Sequence, residues 1–174
     1  MTKTVDYLQK QYDHAFEMVK FGEAKNTTLI AFNGAIIIGL AQLLKDINIF
    51  WIKYYLQYTI LMCIISVFIT FSSLIAKIKH TTNNTARHRN SNLMFFETLA
   101  DLTHEELVTK LQTEYGCTSE NQRHEEDIAK QVIITSQIAS RKFKLFNLGM
   151  SFTFAGLLTP VILIIHRIFL DHDK

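Results

Sequence analysis

The sequence predicts an all-α integral membrane protein with three transmembrane helices and a helical cytoplasmic bundle. Three observations lead to this fold class. Apolar residues make up 48% of the chain, and many of them are gathered into three long uncharged blocks. The 174 residues include one proline and six glycines, so few residues interrupt long helices. Of the 18 lysines and arginines, 14 lie before the first block or between the second and third.

The three uncharged blocks are long enough to cross a membrane. A bilayer core of about 30 Å requires about 20 mostly apolar residues in a helix, and residues 26–44, 54–76 and 145–165 satisfy this requirement. The alternative, a buried helix of a soluble protein, is disfavoured by three such blocks in one short chain. Gly34 and Gly39, with nearby alanines, give the first block a small-residue surface, which predicts close packing against neighbouring helices, within the chain or in an oligomer.

The basic residues predict the orientation. Lysine and arginine accumulate on the cytoplasmic side of membrane proteins. Residues 1–25 and 77–144 hold most of them, so the N-terminus and the central segment are predicted to be cytoplasmic. The loop after Leu44 and the tail 166–174 are predicted to lie outside the inner membrane.

The polar segments are predicted to be helical as well. Residues 1–25 carry one apolar stripe at helical spacing. Within 77–144, Thr103 and Glu106 fit a capping box and Gly116 fits a helix end. A further helix, capped near Ser119, should continue into the third block, and residues 79–92 read as a loop. The stripes predicted to face each other are Val5, Leu8, Tyr12, Ala15 and Val19, and Ile128, Val132, Thr135, Ile138 and Ala139.

Two groups of polar residues are candidate functional sites. Arg87, Arg89, Arg141 and Lys142 lie near the predicted membrane surface, where they would contact anionic lipid headgroups or bind the phosphate of a ligand. Glu23 and Lys25 lie where the first cytoplasmic helix meets the membrane. Glu23 and Lys25 form a surface ion pair in one interpretation. In the other, they form with Gln137 a polar latch between the bundle and the spans.

Other function classes find little support. The sequence contains no Gly-rich phosphate loop, nucleophile elbow or CxxC motif, so we do not expect an enzyme or a cofactor. His124, Glu125, Glu126 and Asp127 are adjacent in sequence, and adjacent residues point to different faces of a helix. The second half of a motif such as H-E-x-x-H is absent, so no metal site is predicted. A net charge of +2 gives no argument for nucleic-acid binding. Cys63 and Cys117 lie in unlike surroundings, which favours a reducing compartment over a disulfide.

Three stretches of the chain resemble the transmembrane effectors of Pycsar antiphage systems. They are GEAKN followed by TTLIAFNGAIIIGL, the central FFETLADLTHEELVTKL, and IAKQVIITSQIASRKFKLFNLGMSF, which contains Gln137 and Lys142. Together they cover most of the chain. The separate cyclic-nucleotide-binding domain of the TIR-type Pycsar effectors has no counterpart here, which leaves the place and identity of a ligand open.

The resemblance implies a function. A partner cyclase would make cUMP or cCMP on phage infection, and the effector, a homo-oligomer in contact with membrane lipid, would impair the inner membrane and cause abortive infection. A structural or accessory subunit that packs beside a larger membrane complex is the alternative. A membrane-bound hydrolase or nuclease has little support in the residues.

Overall fold

The computed structural model describes residues 3–75, 92–116 and 122–172, and every element in these ranges is a helix. The all-α class is therefore confirmed for the described part of the chain. The elements, in chain order, are α1 (Lys3–Asp46), α2 (Phe50–Ser72), α3 (Phe96–Ala100), α4 (His104–Tyr115) and α5 (Gln122–His172).

Two of the helices are unusually long. Helix α1 has 44 residues and passes without a break from the predicted cytoplasmic segment into the first apolar block. Helix α5 has 51 residues and does the same into the third block. This continuity follows from the sequence, because no residue at either junction interrupts the backbone hydrogen bonds of a helix.

Helix α4 begins and ends as the sequence predicts. The Thr103 hydroxyl accepts a hydrogen bond from the Glu106 backbone N–H at 3.2 Å, and the Glu106 carboxylate accepts one from the Thr103 N–H at 2.9 Å. Gly116 ends the helix in the left-handed conformation, with φ 61°. The capping box is confirmed. The predicted cap at Ser119 and most of the predicted loop, residues 79–91, lie outside the described residues.

The chain divides into two compact units. Unit 1 comprises Met1–Glu23 and Ala76–Phe143, and unit 2 comprises Ala24–Ile75 and Lys144–Lys174. The core of unit 1 is conventional: leucine, valine and isoleucine side chains of α1, α4, α5 and the 93–102 segment pack together. Leu8, Tyr12, Ile128 and Val132, two from each predicted apolar stripe, belong to this cluster or pack against it, so both stripes contribute to the same core.

Unit 2 has the opposite distribution of polarity. Its buried side chains are mostly small and polar, whereas its exposed side chains are large and apolar. The buried set is Asn26, Leu29, Asn33, Thr59, Cys63, Ser66, Thr70, Ser73 and Thr153, together with Gly149 and Gly156. The exposed set includes Phe32, Ile38, Leu61, Phe68, Phe71, Leu148, Phe154, Leu158, Val161 and Ile162. An apolar exterior of this kind is suited to lipid and not to water.

Helices α2 and α5 approach each other closely in unit 2. A Cβ atom placed on Gly149 would lie 2.5 Å from Cγ2 of Thr70, and one on Gly156 would lie 2.8 Å from Cβ of Met62. The small-residue surface of the first block behaves differently. Among the described residues, no neighbouring atom lies within 4 Å of a Cβ placed on Gly34 or Gly39. Close packing within the chain therefore uses the glycines of α5, and packing of the α1 surface in an oligomer stays a prediction.

Two described helices, α1 and α2, are long and apolar enough to cross a membrane. In the most apolar 18-residue stretch of each helix, only 11% of α1 and 22% of α2 is buried in the structure. Neither is therefore the mostly buried core helix of a soluble protein. The third predicted span, residues 145–165, lies in α5. Its side chains at 160 and beyond 162 lie outside the described residues, so the number of three spans stays a prediction.

Candidate functional site

An ion pair joins α1 to α5 in unit 1. Nζ of Lys142 lies 3.0 Å from Oε1 of Glu23. The Lys142 side chain is only 8% exposed, whereas that of Glu23 is 51% exposed. The helices are close here, because a Cβ on Gly22 would lie 3.1 Å from Cβ of Lys142. A buried ammonium group therefore depends on a carboxylate that water can reach.

A cluster of phenylalanines continues from this ion pair. The ring centroid of Phe143 lies 6.0 Å from that of Phe21 and 5.3 Å from that of Phe96, and Phe96 lies 5.1 Å from Phe95. Phe21 and Phe95, at the two ends of the cluster, are exposed. Phe143 follows Lys142 in the chain, and atoms of both side chains lie within 4 Å of a Cβ placed on Gly22.

The predicted latch residues do not form one cluster in a single unit. Glu23 pairs with Lys142, and the Gln137 side-chain amide donates to the carbonyl of Ala100 at 3.2 Å, where α3 ends. Both contacts lie within unit 1. Lys25 belongs to unit 2, where its ammonium group lies 5.3 Å from the centroid of the Phe146 ring.

The predicted phosphate-binding residues are only partly described. Arg141 is partly buried and Lys142 is buried, while Arg87 and Arg89 lie outside the described residues. Sequence reasoning placed Lys142 with the ligand and Glu23 with the latch, whereas the structure joins the two. The pairing depends on how α1 packs against α5.

A closed circuit of hydrogen bonds connects three helices in unit 2. The Thr153 hydroxyl on α5 donates to Oδ1 of Asn33 on α1 at 3.0 Å. Nδ2 of Asn33 donates to the Ser66 hydroxyl on α2 at 2.9 Å, and that hydroxyl donates to the carbonyl of Gly149 on α5 at 2.7 Å. Asn33 and Ser66 are fully buried and Thr153 is 1% exposed. We call these three side chains and the Gly149 carbonyl the polar circuit.

A second contact of the same kind lies along the α2–α5 contact. The Thr59 hydroxyl is 2.9 Å from the Gly156 carbonyl. The sequence contained a signal for these contacts, namely single polar residues inside apolar blocks. Sequence reasoning singled out neither Asn33 nor Ser66 as a candidate site residue.

No metal centre is formed by the part of the chain that the structure describes, because it contains no group of three or more His, Cys, Asp or Glu side chains placed to hold an ion.

Comparison with known protein families shows which family the chain belongs to. The family described as the Pycsar effector protein domain matches residues 7–168, which is nearly the whole sequence. The chain belongs to the Pycsar effector family. The resemblance seen in the three sequence stretches is thereby confirmed. No curated protein and no solved structure gives a significant match.

Family membership fixes the broad role. Pycsar effectors act in antiphage defence, and the family implies a cyclic-nucleotide signal from a partner cyclase. Together with the apolar exteriors of α1 and α2, it places this family member at a membrane.

Proposed function

We propose that this Pycsar effector responds to a cyclic pyrimidine nucleotide, cUMP or cCMP, made by a partner cyclase, and that it then impairs the inner membrane and causes abortive infection. The observation that carries the proposal is the family match over residues 7–168 of a chain whose unit 2 is apolar outside and polar inside. In this role the protein is a gated binding protein and not an enzyme.

The proposed membrane arrangement has three spans, with the N-terminus in the cytoplasm. The segment of α5 within unit 2 supports the third span, because Leu148, Phe154 and Leu158 are exposed while Gly149 and Gly156 face α2. The distribution of lysine and arginine supports the orientation.

The proposed ligand contact is at Lys142. A cyclic nucleotide carries one phosphodiester charge, and this anion would take the place of the Glu23 carboxylate on the buried ammonium group. The exposed rings of Phe21 and Phe95 offer surfaces on which a pyrimidine base stacks, as bases do on aromatic side chains. Arg141 belongs to the proposed contact, as do Arg87 and Arg89, which are placed there on sequence grounds alone.

The response would follow from this exchange. Displacing Glu23 removes a contact between α1 and α5, and both helices continue into unit 2. A ligand shifts an equilibrium only by binding one state better than the other. The nucleotide must therefore prefer the state in which Glu23 and Lys142 are apart.

Nucleotide binding by the purified full chain tests the ligand contact. Calorimetry with cUMP and with cCMP should detect binding of at least one of them. Lys142→Met should weaken binding by roughly tenfold or more, because a charge-assisted hydrogen bond is lost. Glu23→Gln should strengthen it, because the competing carboxylate is gone. Lys144→Met, an exposed lysine two residues away, is the control and should bind normally.

Membrane potential tests the activity. Vesicles that contain the full chain should depolarise on addition of the bound nucleotide, and empty vesicles should not. An unchanged potential with both nucleotides, in vesicles shown to contain folded protein, would contradict the proposal.

The accessory-subunit alternative draws on one observation, the open small-residue surface of α1 at Gly34 and Gly39. We assign this surface instead to a homo-oligomer of the effector. Purification of the protein alone as a symmetric oligomer would support this assignment, whereas isolation only in a complex with a larger membrane protein would favour the alternative.

A further inference from the structure

The interior of unit 2 is mostly polar. Among its buried described side chains, only those of Leu29 and Cys63 are apolar. Helices in lipid associate through van der Waals packing and through hydrogen bonds between polar side chains. The amide of Asn33 and the hydroxyls of Ser66 and Thr153 form such bonds, and the same groups are able to bind water.

The polar circuit satisfies the Asn33 side chain only while α1 stays with α2 and α5, whereas the Thr153 hydroxyl also lies 2.9 Å from the Ser66 hydroxyl and 3.2 Å from the Gly149 carbonyl of its own helix. Each donor of the circuit bonds an acceptor on a different helix, so separating α1 from α2 and α5 leaves both polar atoms of the Asn33 side chain without these partners. Lipid offers no replacement, whereas water does. Any separation of α1 is thus stabilised by water entering beside the exposed polar groups.

We infer that the polar circuit is the closed lock of a path for water and small ions through unit 2, and that the same side chains line the path when it opens. This inference rests on the proposed function, because it specifies how the membrane would be impaired. Asn33 holds α1 in the closed arrangement. Ser66 and Thr153, with Thr59 and Thr70, supply the hydroxyl groups that replace the hydration of a passing ion.

The hydrogen bonds of the lock are weak enough for a ligand to open it. Interhelical hydrogen bonds between side chains in membranes are individually modest. A few of them bias the closed state without making it irreversible, so a ligand whose preference for the open state exceeds that bias can open the path.

The first experiment breaks the lock without any nucleotide. Full-length protein is reconstituted in vesicles loaded with potassium, and efflux is measured for Asn33→Leu, which keeps a branched side chain and removes both polar atoms. We expect basal efflux roughly tenfold above wild type, since two modest hydrogen bonds are lost. Gln42→Leu, which removes an exposed amide from the same helix, should leave efflux unchanged.

A second variant keeps the test valid if Asn33→Leu fails to fold. Thr153→Val keeps the side-chain shape and removes one hydroxyl, so it should also raise basal efflux. Ser151→Ala is its control, because the exposed Ser151 hydroxyl bonds only within α5, to the carbonyl of Asn147. If both circuit variants insert normally and neither leaks more than wild type, the lock does not exist.

The second experiment asks whether water reaches the interior. Cys63 is fully buried and lies one turn before Ser66 on the same face of α2, so it is a native reporter. In a Cys117→Ser background, a charged methanethiosulfonate reagent should leave Cys63 unmodified in the closed protein and modify it in the Asn33→Leu variant. Ile64→Cys, in a chain that also carries Cys63→Ser and Cys117→Ser, places a thiol on the exposed apolar face and should stay unreactive in both. Modification at position 64 and not at 63 would overturn the inference.

The outcomes separate this inference from the proposed function. If a cyclic nucleotide opens the wild type but the circuit variants stay closed and Cys63 stays unreactive, the path lies elsewhere and the proposed function stands. If the variants leak and expose Cys63 but no cyclic nucleotide acts on the wild type, the lock stands and the proposed ligand is wrong.

Discussion

Lys142 shows how much one residue depends on its partner. An ammonium group with an 8% exposed side chain is costly to bury unless a carboxylate accompanies it. Glu23 supplies that carboxylate from another helix. The pair therefore reports whether α1 and α5 are in contact in unit 1, and any anion that reaches Lys142 acts on that contact.

The Glu23–Lys142 pair should contribute measurably to stability. We expect Glu23→Gln to cost about 1–2 kcal/mol, less than the roughly 3–5 kcal/mol typical of breaking a fully buried pair, because Glu23 is half exposed. The measurement is the unfolding midpoint of the full chain in detergent, without nucleotide.

The matched control is the exposed pair of Asp6 and Lys10, whose ends are 2.9 Å apart on the same helix. Asp6→Asn should cost less than about 0.5 kcal/mol, as surface pairs do. Equal losses for the two variants would show that burial of Lys142 adds nothing to the pair.

At the scale of elements, the close contact between α2 and α5 depends on glycines. Gly149 and Gly156 allow the α5 backbone to approach α2, so that the hydroxyls of Ser66 and Thr59 reach its carbonyls at 2.7 and 2.9 Å. Larger residues would separate the helices and move these two carbonyls out of reach of the hydroxyls. Close approach and hydrogen bonding thus support each other.

Adding one methyl group should distinguish covered from open glycines. Gly156→Ala would place its Cβ 2.8 Å from Cβ of Met62, an atom that cannot rotate away, so we expect a loss of about 1–3 kcal/mol from overpacking. Gly39→Ala meets no atom within 4 Å among the described residues, so in the monomer a gain of about 0.5–1 kcal/mol is expected from helix propensity.

Thermal unfolding of the two variants in the same detergent makes the comparison. A loss of stability in Gly39→Ala that disappears on dilution to monomer would reveal a second copy packed on α1, as the predicted homo-oligomer requires. A neutral Gly156→Ala would mean that α2 and α5 are farther apart than the structure places them.

At the scale of the whole molecule, the proposed arrangement assigns each segment to one side of the membrane. The short connection between α1 and α2 should face the periplasm, and α4 should face the cytoplasm. In a background without native cysteines, a membrane-impermeant thiol reagent should label Ile49→Cys in intact spheroplasts. It should label Glu114→Cys, an exposed position on α4, only after lysis.

The opposite labelling pattern would show that the protein has the opposite orientation in the membrane. Extraction of the protein from membranes with alkaline carbonate would contradict a spanning arrangement altogether, whichever side is labelled.

The sequence by itself determined the helices and their environment. Backbone capping at Thr103 and Gly116, the stripes that include Leu8 and Val132, and the uninterrupted passage into the apolar blocks all follow from local spacing, because a helix satisfies its own backbone within a few residues. The family was recognisable from three stretches for the same reason, since its features are helical and local.

Only the tertiary structure decided which residues meet. Asn33 bonds Thr153, 120 residues away in the sequence, and Lys142 pairs with Glu23 on another helix. Within the chain, the close approach of two helices is at Gly149 and Gly156, whereas nothing in the described chain covers Gly34. Such choices depend on the rotation of each helix about its own axis. That rotation is set by side chains contributed from distant parts of the chain, so no local pattern contains it.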